Sequence, residues 1–209
     1  MNSALKALGV TGYQGPVLLI NNDVRIEFGM RRALKKALTI NRSATLIAPQ
    51  IIQNGVKQGW LFYQPWLALV THEPIPGSFP YLSGCCLFVN RTNNSKPLFD
   101  EDFFMYGEDV ELSYRIRRQG GTLLLLSETW LVHEGSASSG VATTDYERFI
   151  VESHWLLAKK LEGRFIQRII MHILRVPSLL IRACVRSLRF KSLIPLRALL
   201  PLGTSKSYK

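Results

Sequence analysis

The clearest hydrophobic pattern in the chain predicts a helix that begins with acidic residues and ends with basic ones. Leu112 and Ile116 are four residues apart, so they share one face of a helix that begins near Glu108. Its last turn is basic, which suits the negative end of the helix dipole. The basic residues there are Arg115, Arg117 and Arg118. Gly120 and Gly121 follow and predict the end of the helix.

Short apolar runs elsewhere predict strands, and the mixture of elements indicates an α/β fold. The runs that we interpret as strands are residues 17–20, 44–49, 122–126 and 129–133. Helical patterns are predicted at 28–38 and 146–161, with the end of a further helix at 3–8. Residues 53–82 are rich in Gly, Pro and aromatic residues, and we predict that they are irregular.

The last sixty residues have a different pattern. If the segment 164–190 is helical, its arginines lie within about 60° of arc and the rest of its surface is apolar. These arginines are Arg164, Arg168, Arg175, Arg182, Arg186 and Arg189. The pattern favours a helix in a membrane interface over one that spans the membrane. A helix packed on the rest of the protein with its arginines in water is the alternative, and Pro177 predicts a kink or a division.

Charge separates the same two regions. The chain of 209 residues has a net charge of +11; residues 1–149 contribute +1 and residues 150–209 contribute +10. A basic C-terminal region needs an acidic partner, either anionic lipid or nucleic acid, and its apolar face argues against nucleic acid. A hydrophobic content of 47% excludes a disordered protein. We expect no secretory signal peptide, and three cysteines predict buried free thiols rather than a disulfide framework.

The acidic pair Glu108 and Asp109 has two interpretations. Acids in a first helical turn offset the positive end of the dipole, typically by ~0.3–1 kcal/mol each. Here, however, Gly107 permits a sharp turn, and the aromatic residues Phe103, Phe104 and Tyr106 come before it. A carboxylate against an apolar wall has a raised pKa and can act as a general base.

Polar residues also follow the predicted strand 17–20. Asn21 and Asp23 lie at its carboxyl end, where ligands bind in open α/β sheets. A plain turn is the commoner meaning of this pattern. His133 ends the strand 129–133, and a lone histidine is more often structural than a ligand.

The segment from Phe99 to Gly121 resembles the C-terminal half of a family 2 glycosyltransferase catalytic domain, in the rhamnosyltransferase-like branch. The family pattern FD-x-x-FF-x-YGEDxDL-x-x-R-x-RR-x-G is matched over Phe99–Leu112 and into the arginines that follow. Leu18–Asp23 also matches the family's metal motif, and Ser83–Val89 resembles a family strand that begins with small residues. The resemblance implies an incomplete GT-A (Rossmann-like) sheet with helices on both faces over residues 1–145. The basic helical region 146–209 would follow it.

The resemblance also implies a role for each site residue. Asp109 would be the base, and Glu108 would bind the acceptor or orient Asp109. Asp23 and His133 would hold Mg²⁺ or Mn²⁺. Asn21 and Gly84 would contact substrate. Arg115 and Arg118 would either contact the phosphates or cap the helix.

Further expectations concern the surroundings of this site. Residues 134–139 would form a lid over the donor. Trp60, Tyr63 and Trp66 would either stack on the acceptor sugar or pack in the core.

The implied reaction is inverting sugar transfer, with rhamnose as one candidate, from a nucleotide diphosphate sugar to a surface polysaccharide or lipid-linked glycan. We expect the protein in the bacterial cytoplasm, on the inner face of the cell membrane and bound to anionic lipid. Only 20 residues precede Asn21, so the base-binding βαβ segment of the family is missing, and we expect this chain alone to lack activity. The rival hypotheses are an inactive remnant that binds membranes and a nucleic-acid-binding module.

Overall fold

The computed structural model describes residues 2–11, 13, 15–26, 29, 30, 32, 33, 35, 39, 44–53, 55–90, 97–133, 143–161 and 164–200. The helices are α1 (Asn2–Val10), α2 (Glu108–Arg118), α3 (Thr144–Leu161), α4 (Phe165–Phe190) and α5 (Ile194–Arg197). The first strands are β1 (Val17–Ile20), β2 (Val24–Ile26), β3 (Ala44–Gln53), β4 (Val56–Gln58) and β5 (Leu61–Gln64). The later strands are β6 (Leu69–Thr71), β7 (Phe79–Tyr81), β8 (Cys86–Val89) and β9 (Thr122–His133).

The main sheet is mixed, in the order β1-β8-β3-β9-β2, with β4 paired to β3 as a hairpin. The pair β3 and β9 is parallel, and the other pairs are antiparallel. Helices and this sheet together confirm the predicted α/β class. The predicted helix at 28–38 is described only in part, because residues 30, 32, 33 and 35 are helical and its other residues, apart from Gly29, lie outside the described part of the chain.

Alternate residues of the central strands form two separate cores, one on each face of the sheet. On one face, Leu46 and Leu87 are packed with Leu5 of α1 and with Leu112 and Ile116 of α2. On the other face, Ile47, Phe88 and Leu131 are packed with Met30, a helical residue. Helical residues therefore cover both faces, and the predicted apolar face of α2 is the one that packs on the sheet.

Strand β9 is longer than predicted. We predicted two strands at 122–126 and 129–133, whereas a single strand runs from Thr122 to His133. Its pairing with β3 shifts between Pro49 and Gln50, which lie opposite Leu126 and Trp130. The polar residues between the two apolar runs thus form an irregularity within one strand, and they do not form a turn.

The prediction that residues 53–82 are irregular is wrong. They contain β4 and a separate three-stranded sheet in the order β6-β5-β7. The strands have only three or four residues each, too few for a visible alternation of apolar and polar positions. The side chain of Gln64 is buried and accepts hydrogen bonds from the backbone N–H groups of Trp66 (2.7 Å) and Leu67 (3.0 Å). Tyr63 is fully buried, which leaves only its core-packing alternative.

Helix α4 continues through Pro177, so of the two predicted alternatives, a kink or a division, the division is wrong. Its arginine face is turned toward the protein, so the prediction that this face contacts lipid or water is wrong for three of its members. Arg175 is completely buried and donates to the carbonyl oxygen of Pro65 at 2.6 and 2.9 Å and to that of His154. Arg164 and Arg189, near the two ends, remain exposed.

The other two inward arginines share one carboxylate. Glu147 of α3 is 0% exposed, and its two oxygens lie 3.0 Å from Arg182 and 2.5 Å from Arg186. A buried carboxylate requires such partners, because desolvation of an unpaired charge costs several kcal/mol. The periodicity of the sequence shows which residues share a face of α4, but the direction of that face is set by Glu147 and by the carbonyl groups around Arg175. None of the helices in the described ranges is both long and apolar enough to cross a membrane.

This geometry predicts that Glu147 is a major determinant of stability. Glu147→Gln removes the charge that Arg182 and Arg186 share, and we expect the free energy of unfolding to fall by about 3–5 kcal/mol. Glu152→Gln is the matched control on the same helix. Glu152 pairs with Arg148 at 2.7 Å and is 52% exposed, so its loss should cost less than about 1 kcal/mol. Urea denaturation of both variants measures the difference, and equal losses would contradict the assigned role of Glu147.

Candidate active site

A left-handed turn places the acidic pair at the start of α2. Tyr106 has a φ of 67° and Gly107 a φ of 83°, and Glu108 begins the helix directly after them. Tyr106 makes an edge contact with Tyr146 of α3, with ring centroids 5.4 Å apart. A Cβ atom on Gly107 would lie 3.1 Å from Phe103 and 3.2 Å from Ser153. Glycine is therefore needed at position 107 both for its backbone conformation and for its small size.

Asp109 is fixed by backbone donors. One carboxylate oxygen, Oδ2, accepts a hydrogen bond from the N–H of Gly84 at 3.0 Å, and Oδ1 accepts one from the N–H of Val110 at 2.8 Å. Gly84 lies just before β8, and a Cβ atom there would approach the Cβ of Asp109 to 3.2 Å. The contact therefore joins the start of α2 to the edge of the main sheet. Burial raises the pKa of Asp109, although these N–H groups act in the opposite direction.

Glu108 lies beside Asp109, but its carboxyl group is less completely hydrogen-bonded by the described residues. Its Oε2 atom is buried and has no hydrogen-bond partner within the described part of the chain. Burial, with the neighbouring charge of Asp109, raises the pKa of Glu108 to about 7. Two carboxyl groups with raised pKa values at one position are typical of sites that transfer protons.

The turn after β1 and the end of β9 meet at the same edge of the sheet. The backbone N–H of Asn21 donates to the carbonyl oxygen of Cys85 at 2.9 Å, which places Asn21 next to Gly84. Val24 pairs with His133 in the sheet, and Nε2 of His133 lies 3.2 Å from Oδ2 of Asp23. The other carboxylate oxygen of Asp23 is buried and lacks a hydrogen-bond partner among the described residues. A carboxylate oxygen in that position is available to a cation.

One cavity of about 650 Å³ joins the two groups. Six of the eight predicted site residues line it, and these are Asn21, Asp23, Gly84, Glu108, Asp109 and His133. Its wall also includes aromatic residues, namely Phe99, Phe103, Phe104, Tyr106 and Tyr146. The sequence analysis did not single out Tyr146 as a site residue, because its position in a regular helical pattern gives no sign that it faces a cavity.

The two predicted arginines do not reach this cavity. Arg115 is paired with Glu111 at 2.8 Å and donates to the carbonyl oxygen of Leu98. The guanidinium of Arg118 lies 5.7 Å from the ring centroid of Tyr114. The phosphate-contacting role of these two arginines stays a prediction, and the lining of the larger cavity gives it no support. Arg115 is six residues beyond Asp109, which places it about 9 Å further along the helix.

A smaller cavity of about 200 Å³ also borders the acidic pair. Its lining includes Glu108 and Asp109 together with Tyr63, Tyr81 and His154. The Tyr63 hydroxyl and Nδ1 of His154 form a hydrogen bond of 3.1 Å. Burial and the charges of Arg175 and Arg182 lower the pKa of His154 to about 3, so this histidine is neutral at physiological pH. Sequence reasoning missed this cavity because its residues come from four separated segments.

The thiols are free, as predicted, but only Cys85 and Cys86 are buried, and Cys184 is exposed. Burial raises the pKa of Cys85 to about 11, which makes it a poor nucleophile although it lines the larger cavity. Among the residues that the structure describes, no group of three or more His, Cys, Asp or Glu side chains could hold a metal ion. The predicted lid at 134–139 lies outside the described residues.

No protein-family model matches the chain, and no curated protein matches it. The resemblance of residues 99–121 to family 2 glycosyltransferases therefore rests on the residues of this sequence.

Proposed function

We propose that this chain is the part of a GT-A-type glycosyltransferase that contains the catalytic acidic residues. It would transfer a sugar, with rhamnose as one candidate, from a nucleotide diphosphate donor to a growing surface polysaccharide or lipid-linked glycan. The observation that carries the proposal is that one cavity is lined both by Asp23 and His133 and by Glu108 and Asp109. The proposed location is the cytoplasmic face of the bacterial cell membrane.

Asp109 is the proposed base. In inverting transfer, the acceptor hydroxyl oxygen bonds to the anomeric carbon, the bond from that carbon to the diphosphate oxygen breaks, and the hydroxyl proton moves to Asp109. The hydrogen bonds from Gly84 and Val110 hold the carboxylate in one orientation for this step. Burial makes it a stronger base than an exposed aspartate. Glu108, which retains its proton up to near-neutral pH, would donate a hydrogen bond to the acceptor.

The other end of the cavity suits a divalent cation. Asp23 and His133 would hold Mg²⁺ or Mn²⁺, and Asn21 lies next to them on the same turn. Two protein ligands are enough for such an ion when phosphate oxygens and water complete its coordination. The ion would neutralise charge on the leaving diphosphate. The buried Oδ1 of Asp23, for which the described residues supply no hydrogen-bond partner, supports this assignment.

Asp109→Asn tests the base directly. In a form of the protein that also carries a nucleotide-base-binding segment, we expect this change to lower turnover by ~10²–10⁴-fold with little effect on donor affinity. Asp145→Asn, an exposed acid in the first turn of α3, is the control and should leave turnover unchanged. Near-normal turnover of Asp109→Asn in a sugar-transfer assay would remove Asp109 from the proposed role.

The cation site can be tested in the 209-residue chain itself, because pyrophosphate carries the diphosphate group without the base. We expect calorimetry to show Mn²⁺-dependent pyrophosphate binding that Asp23→Ala weakens together with Mn²⁺ binding. Asp102→Ala, an exposed acid outside the cavity lining, is the control. Equal binding by Asp23→Ala and the wild type would show that residues 21–23 form only a turn. Absence of binding in all proteins would favour the inactive-remnant hypothesis.

The raised pKa of Glu108 predicts a pH dependence of stability. A carboxyl group with a raised pKa in the folded state stabilises the fold below its unfolded pKa of about 4.5, and this contribution is lost as the pH rises through about 7. Relative to wild type, Glu108→Gln should therefore gain about 1–3 kcal/mol of stability between pH 5 and pH 8. Urea unfolding at both pH values, with the exposed Glu73→Gln as control, measures the difference. Parallel pH profiles for wild type and Glu108→Gln would refute the assignment.

A further inference from the structure

The outward face of α4 is covered by large apolar side chains. Eleven of them are between 38% and 80% exposed along one helix. They are Phe165, Ile166, Ile169, Ile170, Ile173, Leu174, Val176, Leu180, Ile181, Val185 and Leu188. We call this set the apolar face. Contiguous exposed apolar surface of this kind marks an interaction site in a folded protein.

The apolar face cannot be buried by rotating the helix. Its opposite side is fixed by Arg175 on the carbonyl groups of Pro65 and His154, and by Arg182 and Arg186 on the buried Glu147. Turning the helix over would place apolar residues against a buried carboxylate and leave that charge unpaired. No residue in the described part of the chain covers the apolar face, so we look for its partner outside that part.

The charges around the apolar face identify the partner. Residues 164–200 contain eight Lys or Arg residues and no Asp or Glu. The cations that stay exposed stand near the two ends of α4, with Arg164 before its first turn and Arg189 and Lys191 at its end. A second copy of this chain would place like charges against each other, which disfavours self-association. An anionic lipid surface matches both the apolar residues and the cations.

We propose that α4 lies in the interface of an anionic bilayer with its apolar face among the acyl chains. A 26-residue helix is about 39 Å long, and in this orientation it needs to sink only ~5–10 Å below the headgroups. The exposed cations at its ends contact the lipid phosphates, whereas the inward arginines hold the helix on the protein. The apolar face thus keeps the place in the membrane interface that the sequence predicts, whereas Arg175, Arg182 and Arg186 contact the protein and not the lipid. It is independent of the proposed sugar transfer.

The chain contains its own reporter for this interaction. Cys184 is exposed and lies between Leu180 and Leu188 on the apolar face, whereas Cys85 and Cys86 are buried. A polarity-sensitive fluorophore attached to Cys184 should shift to shorter wavelength and lose quenching by iodide when phosphatidylcholine vesicles containing phosphatidylglycerol are added. Sedimentation of the unlabelled protein with the same vesicles gives the binding constant without the fluorophore.

Two double variants separate the apolar and charged contributions. Ile173→Gln with Ile181→Gln should weaken sedimentation with anionic vesicles by at least about tenfold, because both side chains leave the acyl region. Arg189→Gln with Lys191→Gln should weaken it by a factor of about five for each cation. Val56→Gln is the matched control, since Val56 is 59% exposed on β4 and lies outside α4. All these positions are exposed, so thermal unfolding should change little.

Three results would overturn the proposal. The first is no binding of wild type to anionic vesicles, and the second is equal binding by wild type and the isoleucine variant. The third is a concentration-dependent dimer in which Cys184 is shielded without lipid, since the apolar face would then bind a second copy. Pyrophosphate binding should be the same in wild type and in all these variants, so a failure here is distinguishable from a failure of the proposed enzymatic function.

Discussion

The hydrogen bond from the Gly84 N–H to the Asp109 carboxylate is the contact on which the site depends. It joins the beginning of a helix to the loop that enters a central strand, two segments that are 25 residues apart in the chain. A glycine on one side permits this close approach, because a Cβ there would lie 3.2 Å from the Cβ of Asp109. The acidic pair that the contact fixes borders both the larger and the smaller cavity.

Much of this site could be predicted because its signals are local. An acidic first turn, a glycine before it and two glycines after it define α2 from sequence alone. Asn21 and Asp23 could be placed at the carboxyl end of a strand because they follow an apolar run, whereas only the family resemblance grouped His133 with them. The structure brings all three to one edge of the sheet. The direction of the Arg115 side chain could not be predicted in this way. Its pairing with Glu111 is local, four residues back on α2, but its hydrogen bond to the carbonyl oxygen of Leu98 is a tertiary contact. The three-stranded sheet could not be predicted for the same reason. Its strands are stabilised by pairing between short segments and not by a pattern within any one of them.

The inward face of α4 shows most clearly that a local sequence pattern does not predict tertiary contacts. Helical periodicity identified the arginines as one face, and hydropathy suggested that charged residues point outward. The structure places Arg175, Arg182 and Arg186 inside because partners exist there: a carboxylate for two of them and carbonyl groups for the third. Among the described residues, the partners of Arg175 are carbonyl groups and not a carboxylate, and its charge helps to keep His154 neutral beside the acidic pair. Part of the positive charge of the C-terminal region therefore acts within the fold.

The contact between Tyr106 and Tyr146 has a consequence for how this chain can be divided. A cut at residue 145, where the charge and the hydrophobic pattern change, separates the sheet from the C-terminal helices in sequence. In space it passes through the wall of the larger cavity, because Tyr146 lies on the C-terminal side of the cut. Exchange of the C-terminal helices with those of another protein would thus alter the shape of the cavity as well as the apolar face of α4. An exchange that preserves the cavity has to keep Tyr146 together with the sheet.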